Sequence, residues 1–426
     1  MSPLDKLKQH NEQFTKGIQQ LADGVYIAVG YAASNVAVIE TDAGLVVVDT
    51  TESTSAAEAI MAELRKITQS PVTTIIYTHG HRDHVGGAAV FAADYAPQII
   101  ARANLKNELA AGAGRSNPDV LLRKRAARQF GIPLQVGTER INLGIGPADR
   151  PIEGMGQGYL APTQTFSDEK LTLSIGGREI QLIAAPGETA DQLMVWLPEE
   201  KILCVADNFY HSFPNLYAIR GTSYRDFEIW AATLDKMLHF DARLMLTGHG
   251  QPVSGADQIR QRLTDYRDAI QYIVEKSVEG MNKGLMPDQL VEYVRLPEHL
   301  SSKPYLQEFY GTVEWSVRAF FAGKIGWFDG NPSHLFPFSE QLQAERFAAL
   351  IGEEKLLQTL HQAMEDEDYQ WALHLSDSLS HIGRAEEILP VRIEALKMIA
   401  DQQMNATARN YYLTCALELK QQLAVV

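Results

Sequence analysis

The length, composition and charge of the chain argue against several classes of protein. Its 426 residues are too many for one ordinary core and predict two or three domains. Hydrophobic residues make up 45% of the chain and charged residues 21%, as in soluble globular proteins, so bulk disorder is not expected. The formal net charge of −15 argues against nucleic acid and anionic membranes as partners.

No targeting or membrane segment is expected from the sequence. Residues 1–14 are polar and lack the apolar run of a secretory signal. No apolar stretch approaches the roughly 18–20 residues that are needed to cross a bilayer. The two cysteines, Cys204 and Cys415, predict buried reduced thiols and no disulfide framework. We therefore expect a cytoplasmic protein with no membrane partner.

The first half of the chain alternates strand and helix patterns. The apolar periodicity predicts strands at 25–29, 35–40, 45–49, 72–77 and 98–101, and helices at 56–67, 87–95 and 121–130. The first three strands are predicted to form an antiparallel meander. The stretch 144–162, which is rich in glycine and proline, predicts a long functional loop.

The second half of the chain changes from strands to helices. Strands are predicted at 170–175, 179–184, 192–197 and 201–205, and helices at 259–278, 287–294, 310–321 and 341–351 and onwards to 423. We place the boundary at residue 260, which gives an α/β domain over residues 1–260 and an all-α domain over residues 261–426.

Four potential metal ligands directly follow the strand predicted at 72–77. His79, His81, Asp83 and His84 form the pattern His-x-His-x-Asp-His on a strand-to-helix loop. Imidazole nitrogens and carboxylate oxygens are the ligands that zinc prefers. A purely structural turn would leave four such polar groups together in an apolar neighbourhood, which is energetically costly. The spacing therefore predicts a metal site.

This motif is similar to the signature of the metallo-β-lactamase superfamily, whose fold is an αββα sandwich with a metal site at one sheet edge. The resemblance implies further ligands in three later segments of the chain. It assigns one ion to His79, His81 and Glu188, a second to Asp83, His84 and His249, and places Asp207 between the two ions. Glu188 stands where these hydrolases usually have a histidine, and Asp191 remains the alternative to it.

Carboxylates at both positions 188 and 207 make this chain similar to one branch of the fold, the alkylsulfatases or class III zinc sulfatases. These enzymes usually carry glutamate where this chain has Asp207, so the chain departs from the family pattern at that position. The segments 208–211 and 215–221 also resemble the alkylsulfatase sequence that follows this carboxylate. The resemblance implies that Arg220 binds sulfate. Asn215 and Tyr159 are candidates for the same sulfate site, with an ordinary loop tyrosine as the alternative for Tyr159. Asp83 and His211 are the candidate catalytic residues, His211 either as a proton donor or in a structural role. The planar guanidinium of an arginine matches a tetrahedral oxyanion.

The helical region is similar to the alkylsulfatase dimerisation domain. The sequence Gly-Trp-Phe-Asp-Gly-Asn-Pro at 326–332 and the sequence Arg-Asn-Tyr-Tyr-Leu at 409–413 carry this likeness. The resemblance implies a homodimer. Secreted members of the family begin with a signal peptide, and many members end with a sterol-carrier-like domain. We expect this chain to lack both features.

The sequence thus predicts an αββα metallo-β-lactamase sandwich followed by an all-α dimerisation domain. The function expected is that of a dinuclear hydrolase with two Zn²⁺ per chain, which cleaves small alkyl sulfate monoesters to alcohol and inorganic sulfate by a metal-bound hydroxide. A phosphoester, lactone or thioester hydrolase on the same site stays open as an alternative. A non-catalytic metal-binding dimeric scaffold and a mono-iron oxygen-using enzyme are less favoured.

Overall fold

Two β-sheets lie face to face in the computed structural model, which describes residues 1–106 and 118–423 except for the side chain of Asp119. Helices cover the outer face of each sheet, and further helices follow the second sheet in the chain. This arrangement confirms the predicted αββα sandwich with a helical region after it.

The first sheet of the described chain runs in the order of its strands, which are β1 (Gly17–Ala22), β2 (Val25–Val29), β3 (Val36–Thr41), β4 (Gly44–Val48), β5 (Val72–Ile76), β6 (Gln98–Arg102) and β7 (Gln164–Phe166). Strands β1 to β4 are antiparallel, and β4 to β7 are parallel. The predicted meander is confirmed. The two strands at the edges, β1 and β7, were not predicted, because their sequences are polar or very short.

The second sheet of the described chain has the order β13-β12-β11-β10-β9-β8. Its strands are β8 (Lys170–Ile175), β9 (Arg178–Ala184), β10 (Leu193–Leu197), β11 (Ile202–Ala206), β12 (Leu244–Thr247) and β13 (Val253–Ser254). Only β11 and β12 pair in parallel. The four strands predicted between residues 170 and 205 are confirmed.

Alternation along each strand divides its side chains between two cores. In β2, Val25 and Ile27 face the second sheet, whereas Tyr26 and Ala28 pack against the helices on the outer face. Successive side chains of a strand point to opposite faces, and here both faces are covered. This is why β2, β4, β10 and β11 are apolar at nearly every position. Cys204 is buried between the sheets, whereas Cys415 is only partly buried.

Six α-helices lie in the described residues before residue 256. They are α1 (Pro3–His10), α2 (Thr54–Leu64), α3 (Arg82–Val85), α4 (Ala88–Phe91), α5 (Asp119–Gln129) and α6 (Phe227–Met237). Of these, α2, α4 and α6 pack on the sheets. Ser53 begins α2, since its hydroxyl accepts the N–H of Ala56 at 3.1 Å. The helix predicted at 87–95 is shorter than expected, because the chain turns at Ala92 towards β6.

The later part of the chain is helical. Its α-helices are α7 (Ala256–Asn282), α8 (Pro287–Tyr293), α9 (Glu298–Ser301), α10 (Val313–Ile325), α11 (Glu340–Ile351), α12 (Glu353–Glu365), α13 (Tyr369–Leu379), α14 (Ala385–Asp401) and α15 (Ala406–Leu423). Helices α7, α8 and α10 share a core with the second sheet, whereas α11 to α15 build a separate core. The predicted boundary at residue 260 falls inside α7 and stays a prediction. No helix in the described part of the chain is long and apolar enough to cross a bilayer.

Candidate metal centre

The predicted ligands lie at the edge of the sandwich where several strands reach their carboxyl ends. His79 and His81 follow β5, and the short helix α3 carries the next two predicted ligands. Glu188 lies on the loop between β9 and β10, Asp207 directly follows β11, and His249 comes two residues after β12. Both sheets therefore supply ligands to one place.

The described residues include two groups of potential ligands whose donor atoms lie within 4.8 Å of one another. They are His79, His81, Glu188 and Asp207 in one group, and Asp83, His84 and His249 in the other. All of these side chains are buried except those of His81 and Asp83, which keep 12% and 23% of their surface exposed. The ligand types suit a borderline divalent ion such as zinc.

Asp207 lies between the two groups. Its Oδ2 is 3.6 Å from Nε2 of His79 in the first group and 3.2 Å from Nε2 of His249 in the second. Its Oδ1 is 3.3 Å from Nε2 of His84. A carboxylate in this position can be shared by two ions.

The geometry favours Glu188 over Asp191 as a ligand. Oε2 of Glu188 is 3.7 Å from Nδ1 of His81. Asp191 instead supports the backbone, because its Oδ2 accepts the N–H of Gly80 at 3.0 Å and that of Lys106 at 2.9 Å. Asp191 therefore holds the ligand loop, and Glu188 faces the ligand group.

Three ligand atoms at the centre are buried and make no hydrogen bond among the described residues, although two of them, on His84 and Asp207, lie 3.3 Å apart. They are Nε2 of His84, Oε2 of Glu188 and Oδ1 of Asp207. Buried polar atoms nearly always have a partner, because an unpaired one costs free energy. A divalent cation would satisfy all three atoms, so this donor set fits a metal.

Residues outside the ligand set orient the ligands. Oδ2 of Asp49 lies 2.7 Å from Nδ1 of His84, and its two oxygens also accept the N–H and the hydroxyl of Thr78 at 2.8 Å. Nδ1 of His249 lies 2.7 Å from the carbonyl oxygen of Ala33. Such contacts turn the opposite ring nitrogen towards a metal. Sequence reasoning missed Asp49, although it follows β4, the parallel neighbour of β5.

Two features of the neighbouring backbone help to position the side chain of Asp207. Ala206 before it has a φ of 47°, in the left-handed region that costs an alanine free energy. Gly248 lies so close that a Cβ on it would be 2.3 Å from Oδ1 of Asp207. Only glycine leaves room for this carboxylate.

Comparison with known proteins agrees with this site. Residues 29–249 match the family model of the Metallo-beta-lactamase superfamily, and residues 286–422 match that of Alkyl sulfatase dimerisation. The chain is 37% identical over 395 residues to a linear primary-alkylsulfatase of Pseudomonas sp., which covers 90% of this chain and 74% of that protein. The chain belongs to the alkylsulfatase family of the metallo-β-lactamase superfamily.

More distant alkylsulfatases match over nearly the whole chain. An (R)-specific secondary-alkylsulfatase of Pseudomonas sp. is 28% identical over 422 residues, with 95% of this chain and 62% of that protein covered. The solved structure of a stereoselective inverting sec-alkylsulfatase from Pseudomonas sp. has a TM-score of 0.87 and 26% identity. That match covers 95% of this chain and 66% of the solved chain. The chain thus spans less than two thirds of these two relatives, which are sulfuric ester hydrolases by name.

The structure places the predicted sulfate-binding residues of this alkylsulfatase family member around Glu188 and β5. The charge of Arg220 acts to lower the pKa of Glu188, and its backbone N–H donates to Oε1 of Gln129 at 2.8 Å. Asn215 is buried. The ring of Tyr159 stacks on Tyr77 at 6.1 Å, beside the loop that follows β5.

His211 is held by protein groups on both ring nitrogens. Its Nε2 is 2.7 Å from the carbonyl oxygen of Gln251, and its Nδ1 is 3.2 Å from Nη1 of Arg262. Burial lowers the pKa of His211 to about 4, so the ring is neutral at pH 7. Its one proton therefore faces the carbonyl oxygen of Gln251. Proton donation and a structural role both stay predictions for His211.

Two further residues near the ligands were given no role from the sequence. Nη1 of Arg225 donates to Oε1 of Glu188 at 2.5 Å. Tyr310 comes from the helical region and is buried, which raises its pKa above the usual range, while the charges of Arg220 and Arg225 act against this rise. Sequence spacing does not indicate that Arg225 or Tyr310 lies near the ligands, because both residues are distant from them in the chain.

Burial and mutual charge set the protonation of the ligands. Burial raises the pKa of Glu188 to about 8, although Arg225 acts against it. Burial acts to lower the pKa of His249, but the charges of Asp207 and Asp83 raise it to about 9. Burial lowers the pKa of His79 to about 3. At pH 7 the protein without metal therefore keeps protons on Glu188 and His249. Burial acts to lower the pKa of His84 as well, but the charges of Asp207 and Asp49 raise it well above its usual range.

Metal binding is expected to release these protons. Because ligands bind metal in their deprotonated forms, the affinity of the stripped protein for Zn²⁺ should rise with pH between 6 and 9. Calorimetric titration at pH 7 in two buffers of different ionisation enthalpy should show release of at least about two protons per chain. Glu188→Gln should release fewer protons. Equal heats in both buffers would contradict this expectation.

Asp49→Asn should weaken Zn²⁺ binding by about 10- to 100-fold, since the charge that orients His84 is lost. Asparagine tolerates the left-handed backbone at this position, where φ is 63°, so the fold should persist. Competition with a chromophoric chelator measures the affinity. Asp42→Asn, on an exposed turn, is the matched control. Unchanged affinity in Asp49→Asn would show that Asp49 does not orient a ligand.

Proposed function

We propose that this chain is a dinuclear zinc hydrolase that cleaves alkyl sulfate monoesters to an alcohol and inorganic sulfate. The observation that carries the proposal is the pair of ligand groups joined by Asp207. Four relatives are named as alkylsulfatases or alkyl/aryl-sulfatases, and they match 90–95% of this chain. Their named activity supports sulfate esters as the substrate class.

Each group of ligands would hold one ion. We assign the first ion to His79, His81 and Glu188, the second to Asp83, His84 and His249, and Asp207 to both. When bound, zinc supplies Lewis acidity for an ester oxygen and lowers the pKa of water towards 7. Asp83 then acts in catalysis as a ligand. The protein orients these groups through Asp49 and Asp191.

We propose that Arg220, Asn215 and Tyr159 bind the sulfate group of the substrate. The chain has a net charge of −15, so an anion needs local cations to approach the ligand centre. The charge of Arg220 acts on Glu188 and on Tyr310, which supports its closeness to the centre. A guanidinium offers a rigid fork of donors to two oxygens of one sulfate.

Arg220→Ala should lower kcat/KM for alkyl sulfates by at least about 100-fold, because loss of a charge-assisted anion contact costs 2–5 kcal/mol. The measurement is release of inorganic sulfate from short and long alkyl sulfates, together with zinc per chain. Zinc content should stay as in the wild type. Arg295→Ala removes an exposed arginine from the helical region and should leave activity unchanged.

The same assay tests the proposed reaction class. Sulfate release that collapses in Arg220→Ala supports the proposal. Two zinc ions per chain without sulfate release from any ester would contradict it, and turnover of phosphoesters, lactones or thioesters would then identify the alternative hydrolase. The metal count, the domain boundary and the cytoplasmic location stay predictions.

We also propose that the chain forms a homodimer through the segment 325–351. This segment lies within the match to the alkylsulfatase dimerisation model. Large apolar side chains are exposed along it, namely Ile325, Trp327, Leu335, Phe336, Phe338, Phe347, Leu350 and Ile351. Phe336 is 94% exposed and Leu350 is 81% exposed. Apolar surface of this extent is typical of an interface.

The double variant Phe336→Ser with Leu350→Ser should shift the protein from a dimer towards a monomer, because the apolar contact area is lost. Light scattering at micromolar concentration measures the mass. Tyr95→Ser removes an exposed aromatic side chain outside this segment and is the control. A wild-type mass equal to one chain would overturn the proposed dimer.

A further inference from the structure

Arg225 is a buried cation in direct contact with a predicted metal ligand. Its side chain is 3% exposed. Its Nη1 donates to Oε1 of Glu188 at 2.5 Å and also to the carbonyl oxygen of Asn215. One nitrogen of the guanidinium therefore makes both of these contacts.

The other edge of this guanidinium makes no hydrogen bond to any described residue. Nε and Nη2 of Arg225 are both buried and donate to no atom of the described chain. These two nitrogens form the side edge of the guanidinium, which presents two parallel N–H groups. Nδ2 of Asn215 is also buried without a hydrogen-bond partner in residues 1–106 and 118–423. Three unpaired donors thus belong to two residues that contact each other.

Unpaired buried donors of this kind need an explanation. A buried donor that is left without an acceptor loses the hydrogen bonds that water would offer it, which costs free energy. The ion pair with Glu188 does not explain them, since it uses Nη1 alone. A group that offers two oxygens on one centre, as a carboxylate, phosphate or sulfate does, matches both donors of the side edge at once.

The surrounding charges favour an anion from outside the protein. The charges of both Arg225 and Arg220 act on Glu188 and on the hydroxyl of Tyr310. The carboxylate of Glu188 contacts the guanidinium of Arg225 and occupies only Nη1. Two guanidinium groups therefore lie near one predicted ligand, while one fork of donors is left for an added anion.

We propose that Arg225 is a second sulfate-binding arginine, whose Nε–H and Nη2–H donate to two oxygens of the substrate sulfate while Nδ2 of Asn215 donates to the same group. This inference rests on the proposed function, because it specifies the sulfate site of that reaction. It differs from a role in which Arg225 only positions Glu188. That role predicts a loss of zinc, whereas the inference predicts a loss of sulfate affinity at unchanged zinc content.

The test measures sulfate binding without turnover. Zinc-loaded wild type, Arg225→Met and Arg225→Lys are titrated with inorganic sulfate in a calorimeter, and zinc per chain is measured on the same samples. Arg225→Met should raise the Kd for sulfate by at least about tenfold, because two charge-assisted hydrogen bonds are lost. Arg225→Lys should give an intermediate Kd, since it keeps the charge and loses the fork. The KM for alkyl sulfates should rise in the same order.

Arg409→Met is the matched control for the loss of a buried arginine. Arg409 is 4% exposed, pairs with Asp401 at 2.8 Å in the helical region, and has a buried Nε without a hydrogen-bond partner among the described residues. Its substitution should change thermal stability but leave the Kd for sulfate unchanged. Equal weakening of sulfate binding by Arg409→Met and Arg225→Met would overturn the inference.

Other outcomes also decide the question. Wild-type Kd in Arg225→Met would overturn the inference, even if the wild type releases sulfate from esters. If Arg225→Met loses zinc, Arg225→Lys decides, because it can keep the ion pair with Glu188: a weaker Kd supports the inference and a wild-type Kd overturns it. Sulfate binding that depends on Arg225 in a protein that hydrolyses no sulfate ester would support the site and contradict the proposed function.

Discussion

Seven ionisable side chains, five of them buried, lie together at one edge of the sandwich, and this is the constraint on which the surrounding structure depends. A buried charge without a partner costs several kcal/mol, so these groups must compensate one another. Burial acts to raise the pKa of Asp207, but the charges of His249 and His84 hold it well below its usual range. The ligand atoms that make no hydrogen bond in the described chain, such as Oε2 of Glu188, are atoms that a divalent cation can bind.

A set of hydrogen bonds between the two sheets keeps these groups together. Asn35, which precedes β3, bonds through its side chain to the carbonyl oxygens of Thr247 and Gly250 at 2.9 and 2.7 Å. From the other sheet, the N–H of Leu193 donates to the carbonyl oxygen of Thr78 at 2.8 Å. Because these bonds flank the ligand loops, the edges of both sheets are fixed relative to each other. Ligands from distant segments can therefore form one site.

The helical region also supports the centre. The hydroxyl of Tyr266 donates to the carbonyl oxygen of Ser212 at 3.0 Å, and the N–H of Tyr310 donates to the hydroxyl of the same serine at 2.9 Å. Ser212 lies on the segment between Asp207 and Arg220. The helices therefore hold the chain that carries the predicted sulfate-binding residues, in addition to supplying the exposed segment of the proposed interface.

The sequence by itself determined the fold class and the first half of the ligand set. His79, His81, Asp83 and His84 fall within six residues after an apolar strand, so their closeness is a local property that spacing reveals. The runs of apolar residues that predict β2 and β10 are local in the same way. The order of the later ligands along the chain became informative only through the resemblance to a known family, since each of them is an ordinary loop residue on its own.

Only the tertiary structure decided the contacts between distant segments. It distinguished Glu188 from Asp191, because the two carboxylates differ in what they face and not in their spacing. In the tertiary structure Asp49 contacts His84, and Arg225 contacts Glu188. Protein groups also contact both ring nitrogens of His211. The physical reason is that hydrogen bonds and charge compensation depend on distance in space, and chain separations of 35 and 37 residues carry no information about it.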